Sequence, residues 1–246
     1  MDQAAADLNN VAVAYLERGD LRRALELFRT ALRTTMGELR PAGAPPLVPP
    51  PMPPQEQQHQ AAGQGPANND NRQHPRDTKP EFNSPGTPFV HCQGFGIVGT
   101  PGSYSPDPLI NTTVISTIII FNLAVVYHLK GLHEKALNES RLHKARSLYV
   151  KAHLLLNDAG VSYGSTGNAV VDLLSMAVSN NLAQVSYELS SYDESRAHFD
   201  GLIRFALTVV PSRYGDRYVG SIMDQQKSNF LLNAIILHAP NLAPAA

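Results

Sequence analysis

One short pattern recurs three times and limits what this chain can fold into. An asparagine, an aliphatic residue and an alanine are followed, three or four positions after the alanine, by an aromatic residue. It stands at Asn10-Val11-Ala12 with Tyr15, at Asn122-Leu123-Ala124 with Tyr127, and at Asn181-Leu182-Ala183 with Tyr187, the last one position late. Around the first copy the apolar residues Leu8, Val11, Ala12 and Tyr15, then Leu21, Ala24, Leu25, Phe28 and Leu32, keep a 3.6-residue spacing. Gly19-Asp20 interrupts them, a glycine suited to ending one helix and an aspartate suited to capping the next. The expected unit is a helix hairpin, which cannot cover its apolar faces alone and must stack on similar units.

The second helix of each unit carries its own signature. Ala24, Phe28 and Ala31 line it in the first unit, after a turn at Gly19. In the second unit Gly131 is expected at the turn, and Ala145, Tyr149 and Ala152 repeat the spacing nine residues late, so an extension over Leu132 to Lys144 should lengthen the second helix. In the third, Ser190-Ser191 stands where glycine would be, and Tyr192, Ser195, Phe199 and Leu202 follow at matching offsets. A glycine-containing connector from Asn157 to Asn168 joins the second and third units.

These residues resemble the tetratricopeptide repeat family. The first unit matches the family's small and large positions almost completely: small alanines let helices approach, and Tyr and Phe fill the gaps between them. The wording at Leu8-Asn9-Asn10-Val11-Ala12 and Ser179-Asn180-Asn181-Leu182-Ala183 is most similar to the kinesin-light-chain subgroup. The resemblance covers about two-thirds of the chain and departs from the family in that the units are not tandem.

Between the first and second units the composition changes abruptly. Of 19 prolines, 16 lie between Pro41 and Pro108. Proline fixes φ and removes a backbone donor, so neither helix nor sheet runs through such a stretch. Residues 41–80 are also rich in Gln, Asn and Gly, with almost nothing apolar to offset ordering entropy, and read as a disordered loop. Over 81–110 the character shifts: Phe82, Phe89, Val90, Phe95, Ile97 and Val98 offer something to bury, while Gly94, Gly96 and Gly99 oppose helix. A short strand or hairpin added to the folded part is the expectation there. Ser84-Pro85, Thr87-Pro88, Thr100-Pro101 and Ser105-Pro106 spell acceptor sites for a proline-directed kinase.

The fold expected from this is all-α. It is a short α-solenoid of about three helix-turn-helix repeats, with the first hairpin over 1–40 and the second and third over 111–210. A C-terminal capping helix and tail follow over 211–246, and a long disordered proline-rich insertion separates the first two hairpins. Unit one should pack back on unit two, because its apolar face otherwise stays wet. The capping helix is read from Asp216 to His238, with Pro240 stopping it.

Composition narrows the function. A net charge of −1 and a pI near 6.8 argue against a nucleic-acid partner, which would call for a basic face. The single cysteine, Cys92, can form neither an internal disulfide nor a thiolate metal cage. The most apolar run, Val114 to Leu129, is broken by Ser116, Thr117, Asn122 and His128 and reads as a buried helix rather than a membrane span. No secretory leader is evident, so a soluble cytoplasmic protein is expected, with the nucleus not excluded. His133 and His143 lack metal-binding spacing, and no nucleophile elbow or phosphate loop occurs, so neither an enzyme nor a metal or other cofactor is expected.

In the resembled family the first helix of each unit lines a concave groove that binds other proteins. By that resemblance the lining residues here are Asn9, Asn10, Val13 and Glu17; Phe121, Asn122, Val125 and His128; and Asn180, Asn181, Gln184 and Glu188. An Asn side chain carries both a donor and an acceptor. The equivalent Asn10, Asn122 and Asn181 are therefore expected to grip both the C=O and the N–H of an extended peptide, whatever its sequence. An Asn beside a helix interface also serves to bond a neighbouring turn of its own protein, and both uses remain open at this point. Lysines and arginines that would hold a terminal carboxylate are lacking: Asn9, Val13, Ala177 and Asn181 stand in their places. The function read from the chain is protein–protein interaction, as adaptor or assembly scaffold, through a partner peptide or helix in the groove. The alternatives are a self-associating structural oligomer and, further off, an unrecognised enzyme.

Overall fold

The computed structural model describes residues 3–37, 90–97, 104–133, 138–160, 166–209 and 217–238. Seven helices account for most of them: α1 Gln3–Glu17, α2 Leu21–Thr35, α3 Pro108–His133, α4 Asn138–Asp158, α5 Ala169–Glu188, α6 Tyr192–Thr208 and α7 Arg217–His238. They pair as hairpins α1–α2, α3–α4 and α5–α6, stacked in chain order through α2 on α3 and α4 on α5, with α7 against α5 and α6. This is the expected all-α solenoid with its terminal helix. The proline-rich loop 41–80 and the acceptors Ser84, Thr87 and Thr100 lie outside the described residues.

Local chemistry sets the hairpins. Asp20 caps α2, its carboxylate accepting from the Arg23 amide at 3.1 Å, and Gly19 turns the chain at φ 80°. Asn168 caps α5, accepting from the Val170 and Val171 amides. At the third turn Ser190 itself takes the left-handed conformation, φ 59°, where glycine would be relaxed. The small and large positions pack as expected: Ala24, Phe28, Ala31, Ala145, Tyr149, Ala152, Phe199 and Leu202 are all fully buried. The hairpins are also tied across their junctions. Arg29 of α2 lies over the Tyr127 ring of α3 and donates to its hydroxyl, and Arg146 of α4 grips Glu194 of α6 through both carboxylate oxygens.

Three features differ from the sequence reading. Gly131 is not a turn residue but lies inside α3, which continues to His133. Its missing side chain lets α4 approach, since a Cβ there would sit 2.8 Å from Leu142 Cδ2 and 3.4 Å from the Leu142 amide nitrogen. The extension over 132–144 is therefore shared between the end of α3 and the start of α4, with residues 134–137 outside the described parts. The third difference is at 90–97, where a strand or hairpin was expected. The segment is extended but pairs with no strand among the described residues. Its backbone partners are side chains instead.

Helix α3 is long and apolar enough to cross a membrane by length and composition alone, but it is the central helix here and mostly buried inside the fold. On α7, Met223, Phe230 and Ala234 face inward, while Leu232, Ile235 and Ile236 are exposed on its outer side.

Candidate functional site

The first helices of the three hairpins, α1, α3 and α5, lie side by side, with α3 touching both of the others. Residues 90–97 run across all three as a strap. Asn181 of α5 accepts from the His91 amide at 2.8 Å and donates to the His91 carbonyl at 3.0 Å. Asn122 of α3 does the same to Phe95, at 2.9 Å each way. Asn10 of α1 does the same to Ile97, at 2.7 and 2.9 Å. In an extended chain the N–H and C=O of one residue point to the same side, so a single carboxamide can bridge them. The orientation of each amide is fixed by its partners, because a backbone N–H only donates and a C=O only accepts.

The spacing fits the helices. Six residues of extended chain, from His91 to Ile97, reach about 20 Å. That spans two steps of about 10 Å between neighbouring helix axes. The side chains of His91, Phe95 and Ile97, the three residues gripped by asparagines, are buried; Gln93 shares their parity yet is exposed, so burial follows the clamps rather than a strict alternation.

Beneath the strap the contacts are aromatic. Phe95 meets Phe121 edge to face with ring centroids 5.3 Å apart. His91 sits among Phe95, Phe121 and Phe230, the last on α7 at 5.4 Å. Burial among these rings lowers its pKa to about 4, so it is neutral at physiological pH. Gly94 passes close over α1: a Cβ there would meet Val13 at 3.0 Å and Leu16 at 3.3 Å.

A second layer holds the clamps. Asn9 donates to the Phe95 carbonyl and accepts from Asn122, both bonds within 3.0 Å. Asn181 donates to the Tyr149 hydroxyl at 3.1 Å, and that hydroxyl lies 3.4 Å from His128 Nδ1. Asn180 donates to Asn181 and accepts from Asn233 of α7. His128 is fully buried, and burial lowers its pKa to about 3.

The twelve residues singled out from sequence thus divide into groups. Asn9, Asn10, Asn122 and Asn181 bond the strap's backbone, Val13 lies under Gly94, and Phe121 lies under Phe95. Asn180 and His128 sit behind the clamps, and Val125 is in the core. Gln184 donates to Glu188 at 2.7 Å, while Glu188 and Glu17 are exposed and no bond joins either to the strap among the described residues. Tyr149, Phe230 and Asn233 were not singled out as site residues from sequence. Tyr149 had been read as packing alone, and the two on α7 reach the site only because the last helix folds back.

Elsewhere a cleft between α4, α5 and α6 is lined by His153, Ser175, Ser179, His198 and Arg204, with the two imidazoles 6.0 Å apart. Among the described residues no three His, Cys, Asp or Glu side chains gather as a metal site would need.

Comparison with known families gives a match at the start of the chain. The family model of the tetratricopeptide repeat matches residues 8–35, which span most of α1 and all of α2. The chain carries a tetratricopeptide repeat. The other two hairpins repeat the first one's plan of small and large positions. Repeats of this family are protein–protein interaction modules, which gives the coarse function. No curated protein and no solved structure was found to match the chain.

Proposed function

We propose that the protein binds a partner polypeptide in the groove formed by α1, α3 and α5, holding it as an extended chain by the Asn10, Asn122 and Asn181 carboxamides. The observation that carries this reading is the strap itself. Three equivalent asparagines, one per hairpin, each grip one residue's N–H and C=O. Such a grip reads backbone shape rather than side-chain identity, and it serves any extended segment. The work is recognition without covalent chemistry, in the role of a cytoplasmic adaptor or scaffold.

The test compares partner recovery by the intact protein with recovery by a variant carrying Asn10→Ala, Asn122→Ala and Asn181→Ala. A control carries Arg22→Ala, Glu26→Ala and Arg33→Ala, all on the exposed face of α2. With helicity verified by circular dichroism, recovery should fall at least tenfold for the asparagine variant and hold for the control. Equal recovery by both variants contradicts the groove reading.

A further inference from the structure

The groove already holds a ligand-like segment of its own chain, which specifies what else would fit. Among the described residues, no backbone–backbone hydrogen bond joins 90–97 to the helices. Its main-chain bonds run to side chains: those of Asn9, Asn10, Asn122 and Asn181, the Tyr104 hydroxyl, which donates to the Gly96 carbonyl at 3.5 Å, and within the strap the Cys92 thiol, which donates to the Val90 carbonyl at 3.3 Å. That is how a bound peptide is held, not how a structural strand is.

Resting on the groove reading above, we infer that residues 90–97 are an exchangeable occupant, displaced by an extended segment of a partner protein with the same chemistry. That chemistry is a glycine-sized residue, then an aromatic, then a free position, then an aliphatic, as in Gly94-Phe95-Gly96-Ile97. The glycine-sized position follows from the approach to Val13, where a Cβ would stand at 3.0 Å. The aromatic follows from the edge-to-face seat on Phe121, and the aliphatic from the burial of Ile97, which is 4% exposed. The middle position is free because Gly96 is exposed and a Cβ there would meet nothing closer than 3.6 Å.

Displacement faces a known opposition. Ten residues of chain separate Ile97 from the start of α3. Held by so short a length of chain, the strap meets the groove at an effective concentration on the order of millimolar. A free segment must therefore be present at millimolar level, or bind more tightly than the strap through added contacts, before it takes the groove.

Cys92 supplies a reporter in the unaltered protein. It is the only cysteine, lies in the strap, and burial pushes its thiol up to about 11. Release to solvent restores an ordinary thiol and, near pH 8, raises the thiolate fraction on the order of a hundredfold. The experiment measures the rate at which a thiol reagent modifies Cys92 in the full chain as a peptide of residues 89–99 carrying C92S is added. The rate should rise saturably, at least tenfold at millimolar peptide, and the same peptide with G94V should leave it unchanged. In a chain carrying Phe95→Ala, whose strap is weakened, the same rise should need at least tenfold less peptide. No acceleration in either protein, or equal acceleration by the G94V peptide, overturns the proposal. If that happens while the asparagine variant still loses its partners, strap exchange fails and the groove reading stands. Light scattering should give a monomer mass throughout, and a mass that doubles with concentration would overturn the foreign partner in favour of a second copy.

Discussion

Asn122 carries three hydrogen bonds from one fully buried carboxamide, two to Phe95 and one to Asn9. Truncating it strands a buried donor and acceptors that water cannot reach, and such groups cost about 1–3 kcal/mol each. Asn122→Ala should lower unfolding free energy in urea by about 3 kcal/mol, and Asn10→Ala, at the exposed rim, by about 1 kcal/mol. The buried histidines give a pH dependence of definite sign. His91 and His128 have folded pKa values near 4 and 3, below the ordinary 6.5. The unfolded chain then binds more protons between pH 6.5 and 4. Stability is full above pH 6.5 and falls through that window, by about 1.4 kcal/mol per pH unit for each histidine. His153 and His198, lowered by partial burial, act in the same direction. Replacing His128 by Phe, which removes an Nε2 without a hydrogen-bond partner among the described residues along with the Nδ1 facing Tyr149, should make the slope between pH 6 and 4 in thermal melts measurably shallower. An unchanged slope would mean that His128 is not buried as described.

Two glycines in helices should respond oppositely to the same substitution. Gly131→Ala places a methyl against Leu142 and pushes α4 off α3, which should cost about 1–3 kcal/mol in urea unfolding. Gly201→Ala in α6 meets nothing within 4 Å and should stabilise by about 0.5–1 kcal/mol through helix propensity. The contrast shows where sequence was legible. The hairpins could be read because 3.6-residue spacing and the Gly19-Asp20 break, with Asp20 as a cap, are local signals. Gly131 looked like a turn because a helix-interior glycine carries the same letter, and only the approach of Leu142 separates the two uses. The three clamping asparagines were legible as a chemical type, since a carboxamide offers one donor side and one acceptor side. Their occupant was not, because a strap that bonds to side chains has no partner strand and no periodicity to announce it. The available signal was the burial-prone Phe95 and Ile97 at even spacing beside three asparagines in need of partners.

Across the whole molecule the strap ties ends that the solenoid otherwise links only through neighbours. Its Ile97 is held by α1, its His91 by α5, and the His91 ring rests against Phe230 of the last helix. In a solenoid each unit normally contacts only the next, so stability is close to a sum of local terms. Here Phe230→Ala should both open a cavity, costing about 3–5 kcal/mol, and loosen the strap at His91. Faster modification of Cys92 in that variant, with α1 and α2 intact, would show the coupling. Unchanged modification would confine the effect to the cap.

The strap's grip is tested most directly by amide hydrogen exchange, followed by NMR, at His91, Gln93, Phe95 and Ile97 in the intact protein. The amides of His91, Phe95 and Ile97 should be protected and that of Gln93 should exchange fast, with Asn122→Ala removing protection at Phe95 first. Equal, rapid exchange at all four positions would contradict the account, because it would mean that no asparagine holds the strap.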